Sequence, residues 1–167
     1  ERIRPVFLDR NTGTTYSRNL ALKQVSGRYI VVMDSDVEVN KGTIRELIRT
    51  VEMDECIGLA APRLLYPSGR LQKSVDAFPT VFTKIFRYFF LKAMEKMENK
   101  MRAHESDIRE VDYAISAAWV MKRQVLETVG LLDENIFYSP EDVDFCLRVW
   151  QAGYKILYNP RVLVIHA

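Results

Sequence analysis

The feature that most restricts this chain is an apolar run with no polar break, Ile30, Val31, Val32 and Met33, which ends on Asp34, Ser35 and Asp36. A strand with one wet face would alternate with period two. An unbroken run instead predicts a strand covered on both faces, as inside an α/β sheet. The flanking segments agree. "NTGTTYSRNLALKQV" reads as a glycine turn and a helix, with Thr14, Thr15 or Ser17 at its start and Gly27 beyond its end. "NKGTIRELIRTVEMD" reads as a second helix with Ile44, Leu47, Ile48 and Val51 on one side.

The same reading extends to the ends. "PVFLD" predicts a short buried strand, and "CIGLAAPRLLYPSGRLQ" a strand entering a hairpin with "YPSGR" as its turn. "VDYAISAAWVMKR" is strand-like, "RQVLETVG" is a short helix closed by Gly130, and "SPEDVDFCLRVWQAG" is a helix with Gly153 past its end. "YKILYNPRVLVIHA" predicts two short strands split by "NP". Alternating strands and helices favour an α/β fold with a mostly parallel central sheet flanked by helices. Ligands of such sheets sit at the carboxyl ends of strands, which is where Asp34 and Asp36 fall.

Composition narrows the function classes. The chain has 167 residues with 24 Lys+Arg against 22 Asp+Glu, a balance that gives no support to a nucleic-acid binder. Its two cysteines, Cys56 and Cys146, have neither zinc spacing nor a disulfide framework, and read as small apolar residues in a reducing compartment. The opening "ERIRPVFLDR" does not read as a secretory leader, and no run in the sequence approaches the roughly 20 apolar residues of a membrane span. Residues 81–101 interleave Phe and Met with Lys and Arg at helical spacing. Such a helix packs on its own domain in most proteins, and otherwise lies on an anionic membrane. The chain opens on Glu1 and closes directly after a strand-like run, the expectation being a fragment of a longer protein.

Asp34 and Asp36 admit three chemistries. Two neighbouring carboxylates repel unless a cation or proton neutralises them. A hard divalent cation, Mg²⁺ or Mn²⁺, takes such oxygens together with phosphate oxygens. A solvated turn uses them on local backbone amides. A haloacid-dehalogenase-like phosphatase would use Asp34 as nucleophile and Asp36 as acid, but leaves the rest of the pattern unexplained.

Two longer patterns bear on the choice. "NTGTTYSRNLALKQVSGRYIVVMDSD", residues 11–36, resembles the nucleotide-sugar half of family 2 glycosyltransferases, which have the Rossmann-like GT-A fold. "GLLDENIFYSPEDVDFCLRVWQAG", residues 130–153, resembles their acidic catalytic block. The resemblance implies a fold incomplete at the N-terminus, since the family's opening strand has no counterpart before Glu1. It implies that Asp36 and Asp34 bind a divalent cation, Asp36 the more directly, while Asp34 and Ser35 also meet the diphosphate or ribose. Arg18 and Asn19 fall near the nucleotide, against an ordinary surface charge for Arg18. The family's base falls on Asp142, with Glu141 as second choice, although acidic residues also suit a helix start. His166 takes a metal or diphosphate role, against a strand-end histidine bonded to backbone. Trp119 is a candidate platform for a sugar ring, against the commoner fate of a large aromatic in the core.

The resemblance thus implies an inverting transfer of a sugar from a nucleotide-diphosphate sugar to a hydroxyl of a glycan or lipid-linked glycan. The setting would be polysaccharide or cell-envelope synthesis in the cytoplasm or at the inner membrane face, in the rhamnosyltransferase-like subgroup. Residues 1–79 would belong to the nucleotide-sugar half, 80–110 to the amphipathic segment and 111–167 to the acceptor and catalytic half. A non-catalytic, truncated nucleotide-binding domain is the remaining alternative.

Overall fold

The apolar run does form a strand, but not one covered on both faces: it lies at the edge of the described sheet, and Ile30 is buried while Val31 and Met33 are exposed. The computed structural model describes residues 3–78 and 106–167. Helix α1 (Gly13–Leu22) leads into β1 (Tyr29–Met33), then β2 (Val37–Val39), α2 (Thr43–Val51) and β3 (Ile57–Leu65). After the short β4 (Val75–Asp76) come β5 (Arg109–Glu110), β6 (Tyr113–Ala114) and β7 (Ala118–Lys122). The helices α3 (Arg123–Val129) and α4 (Glu141–Gln151) precede β8 (Lys155–His166). The amphipathic segment 81–101 and His104 lie outside the described residues.

The central sheet has the order β1-β7-β3-β8-β2, with β5 added on β8. It is mixed. Strand β7 runs antiparallel between β1 and β3, so β1, β3 and β8 share a direction although only β3–β8 is a parallel pairing among the described residues. The α/β class holds, with helices on both faces. On β7, Trp119 and Met121 face Leu22 of α1, Val125 of α3, and Phe145 and Val149 of α4. Val120 between them faces Leu47 and Val51 of α2. Cys146 is fully buried in the first of these clusters, and burial pushes its thiol up to about 12.

Three local expectations are corrected. The "PVFLD" stretch is not a buried strand: Val6, Phe7 and Leu8 are exposed, and no described strand supplies the ladder partner that would hold it. Residues 155–166 form one strand, not two. Opposite β3 the register jumps from Pro62–Asn159 to Arg63–Leu163, so residues 160–162 bulge out. Pro160 has no N–H for the ladder, and Asn159 anchors the bulge through the Arg161 N–H (3.1 Å) and Thr50 Oγ1 (2.8 Å). No side-chain hydroxyl caps α1; instead the Asn11 carboxamide oxygen accepts the Gly13 N–H at 3.0 Å.

Candidate functional site

The site is assembled by α1, whose two sides hold different things. Gly13 has φ +81°, and a Cβ built there would lie 2.3 Å from the Phe137 carbonyl oxygen, so the loop before α4 fits against α1 only because this residue has no side chain. The Thr14 N–H donates to that same carbonyl at 3.0 Å, and the Thr15 hydroxyl donates to the Ile136 carbonyl at 2.5 Å. One turn on, Asn19 is buried. Its amide donates to the Leu132 carbonyl (2.9 Å) and to Glu134 Oε1 (2.9 Å), and its oxygen accepts the Leu132 N–H (3.0 Å). Asn19 therefore fastens α1 to the loop carrying the acidic block; its carboxamide is used up there and does not line the cleft.

Arg18, adjacent to Asn19 but rotated by about 100° around the helix, points into the cleft. Its guanidinium donates to Asp34 Oδ1 (2.5 Å), Ser116 Oγ (2.7 Å) and Glu141 Oε1 (3.3 Å). It is no ordinary surface charge: its side chain is 16% exposed and it joins both acidic pairs. Glu141 is 5% exposed and also accepts the Thr14 hydroxyl at 3.3 Å.

Residues 34–36 form a turn, not a continuation of the strand. β1 pairs with β7, while β2, only a few residues further, pairs with the far end of β8, so the turn steps across the end of the sheet. Val37 stands opposite His166, which brings the imidazole beside the turn. Asp34, Asp36 and His166 each offer a ligand atom, all within 4.8 Å of one another. His166 Nε2 lies 3.5 Å from Asp36 Oδ1 and 3.9 Å from Asp34 Oδ2. Its Nδ1 lies 2.9 Å from Gln72 Oε1, at the base of the hairpin. With the proton on Nδ1, donated to Gln72, the Nε2 lone pair faces the two carboxylates, the arrangement that a metal-ligating histidine needs. The two oxygens and one imidazole nitrogen suit Mn²⁺ or Mg²⁺.

Asp142 stands on the first turn of α4 and lines the same cleft, of about 610 Å³, with Thr14, Arg18, residues 34–36, Ser116, Tyr138, Glu141 and His166. Burial holds its carboxyl above the usual range, the Val143 N–H (2.8 Å) opposes this, and the nearby Glu141 charge reinforces it. A partly desolvated carboxylate with a raised pKa is suited to accept a proton. The larger hollow of about 1100 Å³, lined by Arg28, Asp54 and Lys122, lies at the opposite end of β1 and contains none of these groups.

Trp119 is not in the cleft. It is 2% exposed, and its ring stacks on Phe145 with centroids 5.7 Å apart, so neither face is open to a sugar. It sits on the β7 face that α4 covers. Sequence reading missed Ser116, Thr14 and Gln72 as members of the site. A hydroxyl at a helix start marks Thr14 only as a cap candidate, and nothing local marks Gln72, which meets His166 through the hairpin.

The glycosyl transferase family 2 model matches residues 1–130. This chain belongs to that family. The matched stretch includes Arg18 and residues 34–36 and stops before Glu141 and Asp142. A hexosyltransferase of low-salt glycan biosynthesis from Haloferax volcanii is 29% identical over 93% of this chain and 46% of its own length. The pre-mycofactocin glycosyltransferase of Mycobacterium tuberculosis is 28% identical over 92% of this chain and 30% of its own. The N-acetylglucosaminyl-diphospho-decaprenol L-rhamnosyltransferase of the same organism is 23% identical over 99% of this chain and 58% of its own. The chain thus spans 30% to 58% of the length of these curated relatives.

Among solved structures, GalNAc-T7 with UDP, GalNAc and Mn²⁺ superposes with a TM-score of 0.66 at 15% identity, covering 95% of this chain and 31% of that one. The mannosyltransferase PcManGT from Pyrobaculum calidifontis with GDP-Man and Mn²⁺ gives 0.57 at 17% identity, covering 93% and 36%. The fold is GT-A. The phosphatase reading of Asp34 falls with this assignment. No helix among the described residues is long and apolar enough to cross a membrane.

Proposed function

We propose that this family 2 chain carries the donor and base sites of a metal-dependent, inverting glycosyltransferase, which moves a sugar from a nucleotide-diphosphate sugar to a hydroxyl of a glycan or lipid-linked glycan. One observation carries the reading: the Asp34, Asp36 and His166 donor set and the raised-pKa Asp142 line one cleft. A divalent cation bound there supplies charge neutralisation for the departing nucleoside diphosphate. Asp36 and His166 would hold it. Asp34 shares its charge with Arg18 through Oδ1, and its Oδ2 would be a further oxygen ligand. Asp142 takes the proton of the acceptor hydroxyl as that oxygen attacks the anomeric carbon from the face opposite the diphosphate. Glu141 is buried and its Oε1 accepts from both Arg18 and Thr14, which favours a positioning role for it and leaves the base to Asp142. A single displacement forms no covalent sugar–enzyme intermediate.

On this reading residues 1–79 serve the donor and 111–167 the acceptor and base. The protein acts in the cytoplasm, and contact of the stretch 81–101, outside the described residues, with the inner membrane face is the alternative to its packing on its own domain. Equal sedimentation with neutral and anionic vesicles would exclude that contact. The central test is calorimetric titration of UDP, GDP and dTDP with and without Mn²⁺. We expect one diphosphate to bind only with Mn²⁺ present and Asp36→Ala to abolish the binding. Absence of binding by the full-length protein to all three would refute the function.

A further inference from the structure

We infer that Arg18 is an exchangeable counter-ion: it neutralises the cleft while the donor is absent, then gives up Asp34 to grip the donor's diphosphate, with Glu141 as its permanent anchor. The inference rests on the metal-dependent donor site proposed above. It starts from charge. Four carboxylates line the cleft, Asp34, Asp36, Glu141 and Asp142, and Arg18 is the only Lys or Arg among the described lining residues. Without it, Asp34 and Glu141 would face each other's field with no compensation.

The partners of Arg18 are of two kinds. Glu141 is 5% exposed, sits on the first turn of α4 and is held also by Thr14, so it cannot swing away. Ser116, likewise buried, holds the same Nη1 at 2.7 Å. Asp34 is different. It takes the other nitrogen, Nη2, lies on a short turn, has a side chain 33% exposed, and has its second oxygen directed at His166. Nη1 is therefore anchored on both sides, and Nη2 has one solvent-reaching partner that a divalent cation would also claim. A planar guanidinium fixed at one nitrogen presents the other to phosphate oxygens with its direction already set. Arg18 and the cation compete for Asp34 when no donor is present, and act together on the diphosphate when it is.

This predicts two effects of opposite sign, which loss of a merely structural residue would not produce. Calorimetry on the full-length protein, first with Mn²⁺ alone and then with UDP, GDP or dTDP at saturating Mn²⁺, reads both. Arg18→Met should bind Mn²⁺ alone about tenfold tighter, because a positive charge next to the ligand set is gone. It should bind the diphosphate about tenfold or more weakly, because a charge-assisted fork is lost. Arg18→Lys covers the case in which the methionine variant does not fold: it keeps the charge but not the fork, so Mn²⁺ affinity stays within about twofold while diphosphate affinity still falls about tenfold. Both affinities moving together in Arg18→Met, or Arg18→Lys binding the diphosphate like the wild type, would overturn the inference while leaving the donor site standing. A wild-type protein that binds neither Mn²⁺ nor any of the three diphosphates would overturn both.

Discussion

Asn19 offers the sharpest test of how the site is held. The family resemblance groups it with Arg18 as a nucleotide contact, whereas its carboxamide makes its hydrogen bonds to the Leu132 backbone and Glu134. In Asn19→Ala, the Leu132 N–H and C=O lose their partner, and Leu132 is only 6% exposed, so water reaches them poorly. Each stranded group costs about 1–3 kcal/mol. The pair, with partial rehydration, should lower stability by about 3 kcal/mol, or roughly 6–12 °C in Tm for a chain of this size.

Asn19→Asp sharpens the test because it preserves shape. One carboxylate oxygen still accepts the Leu132 N–H, but the other faces the Leu132 carbonyl and the Glu134 carboxylate, both acceptors. Repulsion is added to loss, so the aspartate variant should be less stable than the alanine variant at neutral pH. Urea unfolding at pH 7 measures both, and Mn²⁺-dependent nucleoside diphosphate affinity is measured on whatever remains folded. An Asn19→Asp protein more stable than Asn19→Ala would refute the hydrogen-bond assignment. So would full stability combined with lost nucleotide affinity, which is the signature of a ligand contact.

Gly13→Ala meets the Phe137 carbonyl at 2.3 Å and a left-handed φ; we expect a loss of about 2–4 kcal/mol and a fall in kcat from displacement of residues 137–142, and wild-type stability by thermal melt would refute it. Asp142→Asn should cut transfer about 10²–10⁴-fold in a donor-turnover assay yet leave Tm at pH 7 equal or higher. The sign follows from the raised folded-state pKa: the folded form binds more protons than the unfolded form between the two pKa values, so ionisation erodes stability as pH rises through that window, and the amide removes this penalty. A lowered Tm at pH 7 would contradict it, as would an acidic limb of the wild-type rate profile at or below the ordinary carboxylate range. Trp119→Ala should destabilise by about 3–5 kcal/mol, whereas Trp119→Phe should keep the acceptor KM unchanged; a raised KM with intact stability would restore the sugar-platform role.

What the sequence made legible follows from whether the deciding contact is local. The strand at residues 29–33, the helices and the hairpin turn rest on periodicity and turn residues, and each was readable, although the apolar run wrongly implied that both faces of the strand are covered. Asp34, Asp36 and Asp142 were readable as acidic groups at element ends. The faces of Arg18 and Asn19 were also open to reading, since neighbours on a helix point about 100° apart, but which face met the loop was not. Trp119 turned on which side of β7 receives α4, and His166 on the register that sets it opposite Val37. Both are long-range pairings with no local trace. Residues 5–9 failed for the converse reason: an apolar pattern records a preference, but a strand requires a partner.

The two patterns that marked the family, residues 11–36 and 130–153, look like separate witnesses when read along the chain. In the fold they are one device. Gly13, Thr14, Thr15 and Asn19 fasten α1 to residues 132–137, and Arg18 then bridges Asp34 to Glu141. A glycine in the first pattern is required by a carbonyl in the second, and an asparagine in the first satisfies a backbone in the second. On the proposed function their co-occurrence follows from a single mechanical demand: the base proposed on α4 and the acidic turn after β1 must keep a fixed separation across the cleft. A helix gripped on one side and charged on the other meets that demand with few residues, and the chemistry proposed for Asp142 depends on the grip as much as on the carboxylate.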